Sequence, residues 1–494
     1  MVCRIGRKAR GSPQVGAAEP LYASACSIDS DERDPAQPLQ LVRGQPLPPS
    51  RLMHSPQVSL RRHREAGTSP AWQRNCIINV EAGERPRLNS RPQSFALRNS
   101  QTGGPPHAEL RSALTDGGRL CPAMKILILT LPHGAAHQRA SKALRAALLE
   151  TRPGIAVEVV DALSHCTAWF RTYYNSYQIP LRYWPSLWGW IESFQHESQS
   201  TGPGWLYRLG AKPLFRFISD YNPDVVVATE VGLCEITSMH KRIQSARYQL
   251  AALELMDFNR AWLQPEVDLF LCTHPDLAAE LVKAGAPSAK VVTTGQPIDP
   301  IFSRLPEREG VRARLGLATD IPVLLILFGG AGFGNPRQIL SELGKLQNTL
   351  QVVVITGRNA RMEKVARALC ERMPRSKVLG WVDNMQEWML AADLLASKPG
   401  GATLNEGFAC DLPMLAIDPL PGNEQRTCQW IEKWGCGLWI QNPADLAPAI
   451  TRLLSQRDEL ESLRARARSL ARPRAAYAAA EEILKLQWAV GSGP

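Results

Sequence analysis

The sequence lacks the features that define several large classes of protein. It has no run of about eighteen or more apolar residues, which predicts that the chain does not span a membrane. The N-terminus has no apolar core of the secretory type, so we expect no signal peptide. The eleven cysteines form neither a C-x-x-C pair nor a Cys/His cluster with zinc spacing. This favours reduced thiols in a cytosolic protein and predicts no metal site.

The basic charge is concentrated in the first quarter of the chain. The net charge is +11, and residues 1–123 hold seventeen Arg and Lys against ten Asp and Glu. The remainder is only mildly basic, so we predict no nucleic-acid partner. Residues 1–123 are rich in Pro, Ser, Gln, Gly and Arg and have no sustained period, which predicts a disordered extension.

Met124 opens the segment M-K-I-L-I-L-T, which is typical of a protein start that leads directly into a buried strand. Of the seventeen basic residues that precede Met124, only Lys8 is a lysine, a bias unlike the rest of the chain. We therefore expect translation to begin at Met124, with residues 1–123 disordered or untranslated.

From residue 124 onward, short apolar runs alternate with helical segments, which indicates parallel sheets covered by helices on both faces. We predict an acceptor-binding domain at 124–300, a linker at 301–320, a nucleotide-binding domain at 321–455, and C-terminal helices with a tail at 456–494. Ligands of such sheets bind beyond the carboxyl ends of the strands, so the two domains are expected to face each other across a cleft. The predicted strands are 126–130, 224–229, 268–272, 290–295, 322–330, 350–357, 376–382, 393–398 and 413–418.

A glycine turn lies at 398–406, where the sequence is K-P-G-G-A-T-L-N-E. A buried strand is expected to end at its lysine, and a helix to begin near Ala402. The free N–H groups of a helix start bind anions, and Thr403 adds a hydroxyl donor. Glu406, one turn later, is placed to accept hydrogen bonds from the vicinal hydroxyls of a ribose. A glycine pair alone would favour an ordinary strand–helix turn.

Four further loops follow predicted strands of the same half, and together they favour a ligand-binding site over an ordinary strand–helix turn. They are F-G-G-A-G-F-G at 328–334, G-R-N at 357–359, G-W-V-D-N-M at 380–385 and D-P-L-P-G-N-E at 418–424. None matches G-x-x-x-x-G-K-[ST], so an ATP-binding loop of that type is not supported.

These motifs together resemble the nucleotide-sugar domain of glycosyltransferase family 28, of the GT-B fold. Within it they are most similar to the monogalactosyldiacylglycerol synthases and the processive diacylglycerol glucosyltransferases. The resemblance implies two Rossmann-like domains, a UDP-sugar co-substrate and no cofactor. The family commonly has Gln where Asn423 stands, which leaves the identity of the hexose open. The donor-site residues that the resemblance implies are Gly329, Gly330, Asn359, Val382, Gly400, Gly401, Ala402, Thr403, Glu406, Asn423 and Glu424.

The loop at 130–141, T-L-P-H-G-A-A-H-Q-R-A-S, resembles the family's G-G-G-H loop and implies that His137 removes the proton of the acceptor. Histidine titrates near neutral pH and suits that role. His133 is a competing candidate in the same loop. The segment at 255–262, L-M-D-F-N-R-A-W, is similar to another family motif but lacks its histidine.

Aromatic residues are unusually dense between positions 169 and 205. Helix packing is expected to account for most of them, and the rest predict an amphipathic surface for a membrane interface and a lipid acceptor. Nearby Arg and Lys side chains would meet anionic headgroups. The aromatic residues are Trp169, Phe170, Tyr173, Tyr174, Tyr177, Tyr183, Trp184, Trp188, Trp190, Phe194 and Trp205.

The sequence therefore predicts an inverting hexosyltransferase that moves sugar from a UDP-hexose to a lipid, with diacylglycerol as the expected acceptor. We expect it in the cytoplasm, peripheral on the inner face of the membrane. A polyprenyl-linked cell-wall precursor is an alternative acceptor. A UDP-sugar epimerase or hydrolase can share the fold but needs further acid–base residues in the cleft. A UDP-sugar-binding protein with lapsed catalysis is the non-enzyme alternative.

Overall fold

The computed structural model describes residues 124–132, 135–256, 258–328, 336–346 and 349–486. The predictions made for residues 1–123, for His133 and for Gly329 and Gly330 lie outside these ranges. All described residues belong to one compact unit, which contains both sheets.

The first domain contains a six-stranded parallel sheet in the order β2-β1-β3-β4-β5-β6. Its central strands are continuous apolar runs, and Ile126 of the first strand lies opposite Val157 on one side and Val225 on the other. Such runs form strands that are covered on both faces. The strands are β1 Lys125–Thr130, β2 Ala156–Asp161, β3 Val225–Ala228, β4 Gln249–Leu253, β5 Leu269–Cys272 and β6 Val291–Thr293.

Eight α-helices lie between the described strands of this domain. The crossover between β2 and β3 is much longer than the others and holds five of them, including the aromatic-rich segment. The helices are α1 Ala135–Thr151, α2 Ala168–Asn175, α3 Gln178–Tyr183, α4 Pro185–Glu197, α5 Gly204–Gly210, α6 Lys212–Tyr221, α7 Val231–Gln244 and α8 Pro275–Lys283. Short 3-10 helices occupy Ala162–His165, Arg260–Trp262 and Ser288–Lys290.

The second domain repeats the scheme with a six-stranded parallel sheet in the order β12-β11-β10-β7-β8-β9. Its strands are β7 Val323–Leu327, β8 Gln351–Ile355, β9 Lys377–Leu379, β10 Leu394–Ser397, β11 Met414–Ile417 and β12 Gly437–Ile440. The helices are α9 Val311–Leu315, α10 Pro336–Leu343, α11 Ala360–Cys370, α12 Met385–Ala391, α13 Gly401–Ala409, α14 Asn423–Trp434, α15 Leu446–Ser455, α16 Arg457–Leu470 and α17 Ala475–Lys485. Short 3-10 helices occupy Pro300–Ser303, Gly344–Leu346 and Pro443–Asp445.

The segment 301–320, predicted as a linker, is folded onto the second domain. It contains the end of a 3-10 helix and all of α9. Arg308 and Arg312 donate to the Asp393 carboxylate at 3.3 and 2.5 Å, and Arg464 of α16 donates to it at 2.8 Å. Three guanidiniums around one carboxylate tie this segment and α16 to the start of β10, an interior strand of the second sheet.

The C-terminal helices divide between the two domains. Leu460 and Leu463 of α16 join the core of the second domain, whereas Ala480 and Ile483 of α17 join the core that α1 covers in the first. The Tyr477 hydroxyl donates to Glu150 of α1 at 2.6 Å. The chain therefore crosses between the domains twice, once before β7 and once after α16.

Candidate functional site

The glycine turn after β10 has open space in front of it. Gly400 caps α13 with φ −71°, and a Cβ added there would meet nothing within 4 Å. At Gly401 an added Cβ would lie 2.6 Å from Oε1 of Gln296 and 3.0 Å from Cγ of Met256, both from the first domain's side of the cleft. Packing thus requires glycine at 401, whereas at 400 the protein itself leaves room for a ligand beside the helix start.

Glu406, one turn into α13, is the buried carboxylate of this region. It is 2% exposed, and its Oε1 accepts from Nη2 of Arg139, which lies in the first turns of α1 in the other domain. Its Oε2 is buried and has no hydrogen-bond partner. Burial raises the pKa of Glu406 to about 7, although the Arg139 guanidinium acts to lower it.

The loops after β8 and β9 contact each other. Asn359 caps α11 by accepting from the N–H of Met362 at 3.0 Å, so its side chain has a structural role at this position. The Arg358 guanidinium lies 4.1 Å from the centre of the Trp381 ring. Val382 is half-buried and packs against the core of the second domain.

The loop after β11 places polar groups at the start of α14. Oε2 of Glu424 accepts from the N–H of Leu420 at 2.6 Å, and burial raises the pKa of this carboxyl. Oδ1 of Asn423 is buried and has no partner. A buried acceptor without a partner is rare in folded proteins, so Asn423 is a second group that a ligand could satisfy.

The same loop contacts the first domain through α4. Arg426 pairs with Oε1 of Glu192 at 2.5 Å, and the Glu192 carboxylate fills the space that a side chain at Gly422 would need. Gly422 has φ +89°, so both conformation and space favour glycine there. The aromatic crossover of the first domain is thereby joined to the second domain at the strand ends.

His137 lies in the first turn of α1, whereas the resemblance placed it in a loop. Its Nδ1 is 2.6 Å from the carbonyl oxygen of Thr229, which follows β3. A carbonyl can only accept, so Nδ1 carries the proton and Nε2 is the basic nitrogen. The contact also fixes the plane of the ring. This arrangement suits a base that takes a proton from a hydroxyl in the cleft.

Met256 and Gln296 were not predicted as site residues. Met256 has φ +64°, and Gln296 is 1% exposed with an unpartnered Nε2. The one indication for Met256 was its place in the segment 255–262, which is similar to a family motif. A cavity of about 240 Å³ opens between α8 and α14 beside this segment. Its lining includes His196, Met256, Phe258, Leu277, Arg426 and Trp430.

The expectation that core packing accounts for most aromatic residues between 169 and 205 is wrong. Phe170 and Tyr207 are buried together, but Trp190, Phe194 and Trp205 are 69, 71 and 66% exposed. Phe170 of α2 packs inward against Tyr207 of α5, whereas Trp169 and Tyr173 of the same helix are exposed. The exposed aromatic side chains of this segment, together called the exposed aromatic face, are Trp169, Tyr173, Tyr183, Trp184, Trp190, Phe194 and Trp205.

Other groups in the described part of the chain give limited further chemistry. The seven cysteines there are all buried free thiols. No three His, Cys, Asp or Glu side chains among the described residues gather as a metal site would require. No described helix is both long enough and apolar enough to cross a bilayer.

Family models and curated relatives match most of the chain. The family model "Monogalactosyldiacylglycerol (MGDG) synthase" matches residues 137–298, and the model "Glycosyltransferase family 28 C-terminal domain" matches residues 323–477. A processive diacylglycerol β-glucosyltransferase of Bacillus pumilus is 26% identical over 378 residues, covering 73% of this chain and 94% of that protein. Monogalactosyldiacylglycerol synthase 2 of Arabidopsis thaliana is 24% identical over 384 residues, covering 73% of this chain and 80% of that protein.

Solved structures share the fold at low identity. MnaA of S. aureus in complex with UDP has a TM-score of 0.51 at 14% identity, over 74% of this chain and 97% of that one. MurG of Acinetobacter baumannii also has a TM-score of 0.51, at 15% identity, over 73% of this chain and 99% of that one.

Two domains that are each built on a parallel six-stranded sheet define the GT-B fold, and the predicted fold class is confirmed. The two family matches take up most of the chain. The chain contains a glycosyltransferase family 28 C-terminal domain, and over 73% of its length it is similar to diacylglycerol glycosyltransferases. The prediction of a UDP-sugar-dependent glycosyltransferase is likewise confirmed at the level of enzyme class.

Proposed function

We propose that this enzyme transfers a hexose from a UDP-sugar to diacylglycerol, in glycolipid synthesis, with inversion at the anomeric carbon. The observation that carries the proposal is the site at the start of α13. An open glycine turn there is followed, one turn later, by a buried carboxylate with an unpartnered oxygen. The relatives support the acceptor, since their names specify diacylglycerol or its galactosyl product.

The donor would bind along the second domain. Its diphosphate faces the N–H groups of Gly401, Ala402 and Thr403, where the positive end of a helix favours anions. Its ribose meets Glu406, and its uracil meets the backbone of Val382. The hexose faces Asn423 and Glu424, whose polar atoms lie at the adjoining strand end. The glycine loop at 329–330 is proposed to complete the phosphate site.

The transfer step uses His137 as its base. Nε2 takes the proton of the acceptor hydroxyl while the hydroxyl oxygen forms its bond to the anomeric carbon. The bond between that carbon and the diphosphate oxygen breaks, and UDP leaves with the electron pair. The start of α13 stabilises the charge on the departing diphosphate. The Thr229 carbonyl stabilises the imidazolium through the Nδ1–H that it already accepts.

The acceptor would approach along the exposed aromatic face. Tryptophan and tyrosine favour the interface between lipid and water, and the neighbouring cations Arg171, Arg208, Lys212 and Arg216 are exposed as well. Glu192 on α4 joins this face to the donor loop through Arg426. We propose that the enzyme rests peripherally on the inner face of the cytoplasmic membrane, with the cleft opening toward the lipid.

The test is a transfer assay with radiolabelled UDP-glucose and UDP-galactose in parallel, on vesicles that contain diacylglycerol. We expect one of the two donors to transfer label to a glycosyl-diacylglycerol. The other donor should be transferred at no more than a small fraction of the rate of the first. A Glu406→Gln variant serves as the control for background hydrolysis.

Three outcomes would contradict the proposal in different ways. Transfer only to polyprenyl-linked precursors would replace the acceptor while keeping the enzyme class. Tight UDP binding with no transfer to any lipid in a total extract would indicate lapsed catalysis. Release of free hexose without an acceptor would indicate a hydrolase.

A further inference from the structure

The ion pair between Arg139 and Glu406 joins the two domains at the donor site. Arg139 belongs to α1, which follows the first strand of the first sheet, and Glu406 belongs to α13, which follows β10 of the second. The Arg139 side chain is 42% exposed, whereas that of Glu406 is 2% exposed. The guanidinium contacts only Oε1, and Oε2 is left buried without a partner.

We propose that Arg139 is a positioning residue for donor binding, which holds Glu406 by one oxygen so that the other accepts a ribose hydroxyl. The inference rests on the proposed function, because it takes the ribose of a UDP-sugar as the partner of Glu406. It adds that the ribose site is completed by the acceptor domain, so that the donor binds best when the two domains are together.

The geometry gives a reason for each part of this arrangement. A buried carboxylate is unfavourable unless a cation or several donors pair with it. Arginine has five N–H donors on a rigid plane and stays charged, so it can fix a carboxylate while leaving one oxygen free. In the described structure no other side chain donates to Glu406.

Among the charged and titratable groups around Glu406, the Arg139 guanidinium is the one that lowers the pKa of its carboxyl. Arg139 approaches from α1, Asp299 from the start of the 3-10 helix at 300–303, and the Cys410 thiol lies at the end of α13. Burial raises the pKa of Glu406 to about 7, Arg139 opposes this, and Asp299 adds to it. Without Arg139 the carboxyl would be protonated at neutral pH and would lose acceptor capacity for the ribose.

The experiment measures equilibrium binding of UDP and of 2′,3′-dideoxy-UDP to the full-length protein. The variants are Arg139→Gln, Arg139→Lys and, as a matched control, Lys142→Gln, which removes an exposed charge from the same helix. For the wild type we expect UDP to bind about tenfold tighter than the dideoxy analogue, a factor that corresponds to about 1.4 kcal/mol. Arg139→Gln should bring this ratio close to one, and Arg139→Lys should keep most of it.

A pH series provides a readout that a purely structural role would not move. The affinity of the wild type for UDP should fall as pH decreases through 7, as Glu406 becomes protonated. In Arg139→Gln the same fall should begin at higher pH. Thermal unfolding of each variant confirms that the fold is kept.

Two results would overturn the inference. If Arg139→Gln weakens UDP and dideoxy-UDP equally, arginine acts on the diphosphate instead of the ribose carboxylate. If wild type and Arg139→Gln discriminate the two ligands to the same extent, arginine has no part in donor binding. A wild type that binds no UDP at all would instead contradict the proposed function itself.

Discussion

Nδ1 of His137 lies 2.6 Å from the carbonyl oxygen of Thr229, and this single contact decides which ring nitrogen can act as a base. The two residues are on different elements, one on α1 and the other after β3, at adjacent strand ends. Because the carbonyl accepts the Nδ1 proton, Nε2 is the nitrogen that can take up another one.

Replacement of His137 should therefore remove the base and leave the donor site intact. We expect His137→Ala to lower kcat for sugar transfer by roughly 10²- to 10⁴-fold, the range typical of a lost general base. The affinity for UDP should stay within a factor of about two, since the groups proposed to bind UDP lie on the second domain and at Arg139, which this substitution leaves in place. Steady-state kinetics and a UDP titration measure the two quantities. Unchanged transfer would exclude His137 as the base.

Gly400 and Gly401 are adjacent but should respond differently to alanine. Gly401→Ala places a methyl group 2.6 Å from Oε1 of Gln296, so it should destabilise the protein by about 1–3 kcal/mol. Gly400→Ala meets nothing within 4 Å and should leave stability almost unchanged. If the donor diphosphate occupies that open space, Gly400→Ala should instead raise the KM for UDP-sugar several-fold. Chemical denaturation and donor titrations separate the two effects, and equal stability losses would contradict the structure.

The exposed aromatic face should bind lipid. Removal of Trp190 and Phe194, whose rings neighbour each other on α4, should weaken binding to anionic vesicles by roughly tenfold or more, since burial of one large apolar side chain is worth about 1.5–3 kcal/mol. Sedimentation with vesicles measures the effect. Ile243→Ala, which removes an exposed apolar side chain from α7, is the matched control. Equal losses in both variants would show that the face has no specific role.

The buried His240 should make the free energy of unfolding of the first domain decrease at acidic pH. It is 1% exposed, its Nδ1 lies 3.2 Å from the Tyr248 hydroxyl oxygen, and its Nε2 lies 3.1 Å from the Ser219 hydroxyl oxygen. Burial lowers its pKa from 6.5 to about 4. The unfolded chain thus binds the proton more readily. The free energy of unfolding is therefore unaffected by His240 above pH about 6.5 and falls by up to about 3 kcal/mol as pH decreases toward 4.

His240→Gln cannot titrate, so its stability should depend less on pH over that window. Denaturation at pH 7.5 and pH 4.5 gives the difference for each protein. His165→Gln changes a partly exposed histidine of the same domain and should keep the acid dependence of the wild type. The same acid dependence in His240→Gln would contradict the assignment.

Much of the architecture was predictable because buried parallel strands are short apolar runs. Nine strands were predicted at their places, including those that carry the site. The strands β2, β4 and β12 were not predicted. Glu158 interrupts the apolar pattern of β2, β4 is weakened by two alanines, and β12 begins with Gly437. These strands are defined by pairing with neighbours rather than by their own composition.

The site likewise contains residues that sequence motifs could place and residues that they could not. The glycine turn, Thr403, Glu406 and His137 could be placed from motifs, because each sits at a fixed distance from a predicted strand end. Arg139, Gln296 and Glu192 could not, because their roles depend on which residues of the other domain lie opposite them. The roles of the predicted donor-site residues stay predictions until a ligand is bound.

The sequence by itself determined the two α/β domains, the enzyme family and the helix start where the donor is expected, since these follow from local patterns along the chain. Only the tertiary structure decided that α17 returns to the first domain, that most aromatic residues between 169 and 205 are exposed, and that Arg139 reaches Glu406. Burial and ion pairing across a cleft depend on how the two sheets are placed, and residues 267 positions apart carry no sign of that placement in their own neighbourhoods.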